Sequence, residues 1–455
     1  MNYYESVWAS LIAFDQDDPT IYNPTKRYSP RLIHLQSIMT SQVSVNSSTT
    51  FPSAYYDPKG GTVINANFDS GNILVESVDS DCVTLRLRSE PFTEGTDKRC
   101  HSQWFYFRSS QIKGRSITYR IVNAGQASYP AGFKNYRTCA SYDGEHWYRV
   151  HDTTYDDAKG ILLWNHCSAE DTVWFAYFPP FTYERHQQLI AKAAMSELCS
   201  LRVLGLTLDH RPIDYLKVGR GKLNLWVNAR VHPGESMAEW FMEGLIHALL
   251  DEANEASRSL LCKATIHMVP NMNPDGTVRG HLRTNASGAN LNREWCSTGD
   301  YSAPSLQRSP EVYYVLNEVK KIGCDAYVDV HGDEEIEANF FADCAGCPNW
   351  SPRLKSLFDE FSDAYCQASD DFQRGKGYGS DEPGQANLAI GADQITNRFN
   401  CLAVTLEMPF KDATFNNPEP ERQWTPERSK ALGAKLIHAF LKVLPSLKQP
   451  AQQRM

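Results

Sequence analysis

Asn228-Ala-Arg-Val-His-Pro-Gly-Glu-Ser-Met-Ala-Glu-Trp240 closes an apolar run and opens a helical one. Leu223 to Val231 reads as a strand, Pro233 and Gly234 force a turn, and a helix is expected from Ser236 to Asn254. His232 and Glu235 therefore share a strand-to-helix bend beyond the C-terminal end of a strand, where open α/β sheets form ligand sites. Imidazole nitrogen and carboxylate oxygen are both zinc donors, and two across a tight turn can share one ion. The pattern is short, and Glu235 alone reads better as a helix-start carboxylate.

The alternation continues on both sides of this stretch. A helix is expected at 184–200, strands at 265–269, 326–330 and 402–406, and helices at 309–322 and 425–444. This predicts an α/β fold, a mixed, mostly parallel sheet with helices on both faces. Upstream, the runs 73–78, 82–87, 104–108, 117–122 and 173–178 alternate apolar and polar residues between turns such as Asp69-Ser-Gly71. They predict an antiparallel β-sandwich ahead of the α/β domain. Its aromatic residues, among them Trp104 to Phe107, Trp147, Trp164 and Trp174, read as core because no basic stripe accompanies them. Residues 1–60 read as an N-terminal extension and linker, 61–183 as the sandwich and 184–446 as the α/β domain.

The chain has 455 residues, 42% hydrophobic and 22% charged, enough for two cores. A net charge of -9 and a pI of about 5.8 disfavour nucleic acid or an anionic membrane as a general partner. The N-terminus lacks a basic region and no apolar run reaches spanning length, so neither a leader nor a membrane helix is expected. Twelve scattered cysteines read as free thiols in a reducing, cytoplasmic compartment. Cys344-Ala-Gly-Cys347 reads as incidental thiols, since no second pair completes a metal site.

Further candidates follow at other strand ends. In Tyr327-Val-Asp-Val-His-Gly-Asp333, His331 ends a buried strand at the same edge as His232, and period-two alternation puts Asp329 on its side. Two histidines and a glutamate leave a fourth zinc position open, as in a catalytic site. Glu407 ends the apolar run from Cys401, and a buried carboxylate there suits a general base. Arg283 and Arg293, with the amide of Asn292, suit bidentate recognition of a carboxylate or stabilisation of an oxyanion, although either arginine alone reads as a surface salt bridge.

His232-Pro-Gly-Glu-Ser236, Asn271-Met-Asn-Pro-Asp-Gly276, Asn290-Leu-Asn-Arg293, Asp329-Val-His-Gly332 and Thr405-Leu-Glu407 together resemble the motifs of carboxypeptidase A type zinc metallopeptidases. The cytosolic carboxypeptidase subfamily, and its bacterial members in particular, is the nearest match. Phe68-Asp-Ser-Gly-Asn72, His101-Ser-Gln-Trp-Phe-Tyr-Phe107 and Pro180-Phe-Thr-Tyr183 resemble that subfamily's sandwich, so the resemblance covers about 61–445. It implies one Zn2+ per chain on His232, Glu235 and His331, with Glu407 as general acid/base. It also implies that Arg283 polarises the carbonyl, that Asn292 and Arg293 grip the terminal carboxylate, and that Tyr378 falls in the stretch of the active-site tyrosine. The substrates implied are peptide or protein C-termini. The subfamily is known for removing C-terminal glutamates, including those on the acidic tails of tubulin. A pocket for an acidic side chain needs a cation, and Arg398, ahead of Lys376, is the expected one. Two other readings remain: a zinc hydrolase of small N-acyl amino acids on the same scaffold, and a non-catalytic peptide-binding scaffold.

Overall fold

Alternation within the central strands divides the α/β region into two cores. In the computed structural model, which describes residues 51–56, 61–93, 100–413 and 423–447, Leu225, Val227 and Ala229 of one strand pack into one cluster and Trp226 into the other. Val328 and Val330 likewise oppose Tyr327, and Val404 and Leu406 oppose Ala403. A sheet buried on both faces needs helices on both, as the sequence predicts. Helices Met237–Leu250, Pro352–Ala368 and Pro426–Leu447 cover one face, and Pro310–Ile322 and Gly391–Phe399 the other.

The sheet has seven strands in the order Cys199–Leu206, Pro212–Val218, Ala264–Val269, Leu223–Ala229, Ala326–Val330, Leu402–Glu407, Phe340–Ala342. The middle four run parallel, and the three outer strands pair antiparallel. It is thus mixed with a parallel centre. The expected helix at 184–200 ends at Ala194, and Cys199 begins an edge strand that is mostly solvent-exposed. Its apolar residues Leu201, Val203 and Leu206 face solvent, and Pro212–Val218 buries Ile213, Tyr215, Leu216 and Val218, so both antiparallel strands before Leu223 carry an apolar pattern that the sequence reading missed. Helices Pro352–Ala368 and Gly391–Phe399 were also unanticipated.

Upstream lie a six-stranded and a five-stranded sheet. Their pairings are antiparallel except that Cys82–Arg86 runs parallel to Ser116–Ile121. Tyr119, Trp164 and Phe175 are buried between them with ring centroids 4.7–5.5 Å apart, which makes these rings core. Trp147 and Trp174 are partly buried against it. Ala54 and Tyr55, in the stretch read as linker, pair with Asn65 and Ile64 as an edge strand. Residues 1–50 and 57–60 of that extension lie outside the described residues.

Helices Met237–Leu250 and Pro426–Leu447 meet through glycines. A Cβ on Gly244 would lie 2.0 Å from the Lys430 carbonyl oxygen, and one on Gly433 would lie 2.0 Å from that of Phe241. Gly244→Ala gains about 1 kcal/mol of helix propensity, but parting the helices costs about 1–3 kcal/mol. A lower thermal midpoint is therefore expected by calorimetry, and a raised one would show that the helices separate without cost.

Candidate active site

Three chain segments bring their donors to one point. The strand Leu223–Ala229 ends before Arg230, whose φ of 57° turns the chain into the His-Pro-Gly-Glu bend. The Arg230 guanidinium donates to the Pro233 carbonyl, to Phe181 O at 3.1 Å and to Glu239 at 3.1 Å, which ties the bend to its surroundings. The Gly234 amide donates to Leu282 O at 2.8 Å, and a Cβ there would lie 2.7 Å from the Leu282 Cα. Only glycine fits that approach. The next parallel strand ends at Val330, and the His331 amide is held by Leu406 O at 2.8 Å.

Glu235 Oε1 lies 2.6 Å from His232 Nδ1, and its Oε2 lies 2.9 Å from His331 Nδ1. The two Nδ1 atoms are 3.2 Å apart. His232 Nε2 faces Asn290 Oδ1 at 3.0 Å, and His331 Nε2 faces Asp329 Oδ2 at 3.3 Å. The two Nδ1 atoms thus point toward each other and toward the Glu235 carboxylate, which suits a cation between them. All three donors are buried and lie within 4.8 Å of one another, the one such group found among the described residues. The donor set fits zinc in a site with an open position. Burial lowers the His232 pKa to about 4, so its ring is neutral as a ligand must be. Burial would raise Glu235, but His232 and His331 hold it well below the usual carboxylate range. Burial opposes charge on His331 too, yet Asp329 and Glu235 raise it.

The donors open into a cavity of about 680 Å³ that also receives Arg283, Asn292, Arg293, Tyr378 and Glu407. Glu407 is buried at the end of its strand, and its Oε2 has no hydrogen-bond partner. Burial raises its pKa, and the nearby Glu235 charge adds to that. Asn292 Oδ1 accepts the Gly391 amide at 2.9 Å, which leaves its NH2 end to donate. Arg293 donates to Asn292 O at 2.8 Å. Tyr378 is 53% exposed at the cavity mouth and donates to Asp333 at 2.6 Å.

Arg398 does not join them, which corrects the expectation. It is exposed in the last turn of helix Gly391–Phe399 and lines a separate cavity with Trp295 and Lys320. Asp393 of that helix faces the site cavity instead, and five residues further on the helix has turned roughly 140° away. Lys376 is exposed and absent from the walls. The sequence reading missed Tyr129, Glu334, Asp343, Asp381 and Asp393, all of which line the cavity. Asp393 sits one turn into a helix that was not anticipated, and Tyr129 comes from the other sheet system. The Cys344 and Cys347 thiols are buried and free, hydrogen-bonded to Ala403 O and Asp393 O.

The zinc carboxypeptidase family pattern matches residues 186–431, and that of the cytosolic carboxypeptidase N-terminal domain matches 64–178. The chain belongs to the zinc carboxypeptidase family. It is 41% identical over 384 residues to an uncharacterised protein of Zymomonas mobilis, covering 84% of this chain and 97% of that one. Bos taurus cytosolic carboxypeptidase 3 is 28% identical over 65% of this chain, which spans only 31% of that longer protein. Among solved structures, a Burkholderia cenocepacia metallo-carboxypeptidase superposes with a TM-score of 0.79 at 39% identity, over 85% of this chain and 100% of that one. A Pseudomonas aeruginosa metallo-carboxypeptidase in complex with (2-guanidinoethylmercapto)succinic acid gives 0.78 at 41% identity, with the same coverage. As a zinc carboxypeptidase the protein is a peptide hydrolase that uses one zinc ion and acts on peptide or protein C-termini. Among the described residues no helix is long and apolar enough to cross a membrane.

Metal analysis of the purified protein should give one zinc per chain. His232→Ala and His331→Ala should each lose most of it, because removing one of three donors leaves a two-point site. Full occupancy in both variants would refute the donor set.

Proposed function

We propose that the protein removes single residues from free C-termini, with zinc held by His232, Glu235 and His331. The observation carrying this reading is that the donor set, Glu407 and the Arg283, Asn292 and Arg293 group open into one cavity. When bound, zinc supplies Lewis-acid polarisation at the scissile carbonyl. Asn292 and Arg293 receive the terminal carboxylate, with the fixed amide and the guanidinium donating together. Arg283 donates to the carbonyl oxygen as negative charge develops there. Glu407 takes a proton from the attacking water and delivers it to the leaving amine. Tyr378 meets substrate at the cavity mouth. The sandwich at 61–183 and the α/β region at 184–446 act as one unit, as wall residue Tyr129 suggests. A hydrolase of N-acyl amino acids would grip a free carboxylate equally well, and it is the β-sandwich ahead of the site that favours a peptidase.

The wall charges favour a cationic side chain over the acidic one expected with Arg398. Phe341, Ala342, Ile390 and Ala392 line the cavity with Asp343, Asp381 and Asp393. None of these three aspartates forms an ion pair among the described residues. Asp393 is raised to about 6 by burial and by the charges of Asp381 and Asp343, against the pull of the two cysteine thiols. A lysine or arginine would lay its apolar stem on the hydrocarbon wall and relieve that repulsion with its head. An acidic terminus such as a tubulin tail would add to it. The compound bound by the Pseudomonas aeruginosa relative, by its name a guanidinium joined to a dicarboxylic acid, supports the same reading.

Glu407→Gln should keep zinc and fold while turnover falls roughly 100- to 10,000-fold. Near-normal hydrolysis would remove Glu407 from the chemistry. On peptides differing only in the last residue, kcat/KM should favour Arg or Lys over Glu by roughly tenfold or more, about 1.4 kcal/mol. Asp393→Ala should shrink that ratio, whereas a preference for Glu in the parent would restore the acidic reading.

A further inference from the structure

The sandwich reaches the catalytic machinery through one buried carboxylate. Glu90 lies beyond the strand Cys82–Arg86, is 3% exposed and points into the α/β region. Its Oε1 accepts the backbone amides of Leu282 at 2.7 Å and Arg283 at 3.0 Å. Its Oε2 accepts the Thr284 amide at 2.8 Å and the Thr284 hydroxyl at 2.6 Å. Three successive amides on one carboxylate form a fixed, charge-assisted clamp, and it grips the residue whose guanidinium enters the cavity. These four bonds span more than 190 residues of chain.

The clamped loop is joined to the metal donors at both ends. Leu282 O accepts the Gly234 amide, inside the His232 to Glu235 bend. Thr284 bridges to Asn290, whose side-chain oxygen faces His232 Nε2 at 3.0 Å. The sandwich supplies a second contact, with the Tyr129 ring 5.7 Å from the Arg283 guanidinium carbon. The loop around Arg283 is otherwise irregular, with no helix or strand ladder to fix its amides. The carboxylate takes the place of that ladder.

We infer that Glu90 is a positioning residue for Arg283, and that the sandwich is thereby a working part of the catalytic centre. This rests on the reading that Arg283 stabilises the developing oxyanion. The amide of Glu90→Gln sets a donor against backbone donors, which loosens the loop at constant shape. A misplacement of about 1 Å at such a group can cost about 100-fold in rate. Glu90→Gln should therefore lower kcat about 10- to 100-fold with KM within about threefold, since ground-state binding uses other residues.

The decisive measurement is a double-mutant cycle on the zinc-loaded full chain. If Glu90 acts through Arg283, Glu90→Gln should cost little more once Arg283→Ala is present. Multiplicative losses in kcat, or a kcat within twofold of the parent for Glu90→Gln alone, would overturn the inference. Thr284→Val removes the hydroxyl bond and keeps the amides; it should show a smaller kcat loss that also vanishes in the Arg283→Ala background. This variant carries the test if Glu90→Gln does not fold, and an additive loss there overturns the inference equally. An active Arg283→Ala protein would instead refute the role of Arg283, so the two failures are distinguishable.

Discussion

The register of three of the four parallel strands, Leu223–Ala229, Ala326–Val330 and Leu402–Glu407, is the constraint on which the site depends. Ala229 stands opposite Val330, and Val330 opposite Leu406. The residues that follow these positions therefore leave the sheet at one level. His331 comes directly after Val330 and Glu407 directly after Leu406, while His232 needs the extra turn of Arg230 to come back over the edge. A one-residue slip in any pair would send the donors to opposite faces, because side chains alternate along a strand. Apolar residues buried on both faces hold that register, so the packing of two cores and the geometry of the donor set have one cause.

That geometry concentrates negative charge. Glu235, Glu334 and Glu407 are all nearly buried around one cavity, and burial pushes the Glu334 and Glu407 carboxyls up, with Glu235 adding repulsion. Uncompensated, such a cluster opposes folding. A divalent cation between His232, Glu235 and His331 would offset much of it, and a substrate cation near Asp393 would offset the remainder. The same crowding thus favours the occupants proposed for the cavity.

The two sheet systems are joined by polar ties that end on functional segments. Glu90 holds the Arg283 loop, Asn72 donates to Gly280 O at 2.6 Å and Arg149 to Phe410 O at 2.7 Å, three residues past Glu407. Each tie satisfies a buried backbone group that the α/β region leaves without a partner of its own. The sandwich therefore supports the loops around the cavity where helices and strands do not.

Much of this was legible in the chain. His232, Glu235, His331 and Glu407 each follow an apolar run of strand length, and a polar residue after such a run must lie at a sheet edge. Local pattern therefore determined the parallel strands, the helices between them and the donor types. The edge strand Cys199–Leu206, whose apolar Leu201, Val203 and Leu206 face solvent instead of a core, and the helix Gly391–Phe399 were not recognised from it. Without that helix the phase of Asp393 and Arg398 was undefined, and Arg398 was expected in the cavity wall where Asp393 stands. Glu90 was silent for a related reason, since its partners lie more than 190 residues away. Residue types and periodicity follow from short-range covalent geometry. Which charge faces the cavity, and which carboxylate clamps the Arg283 loop, follows from helix phase and domain packing, and only the folded chain decides these.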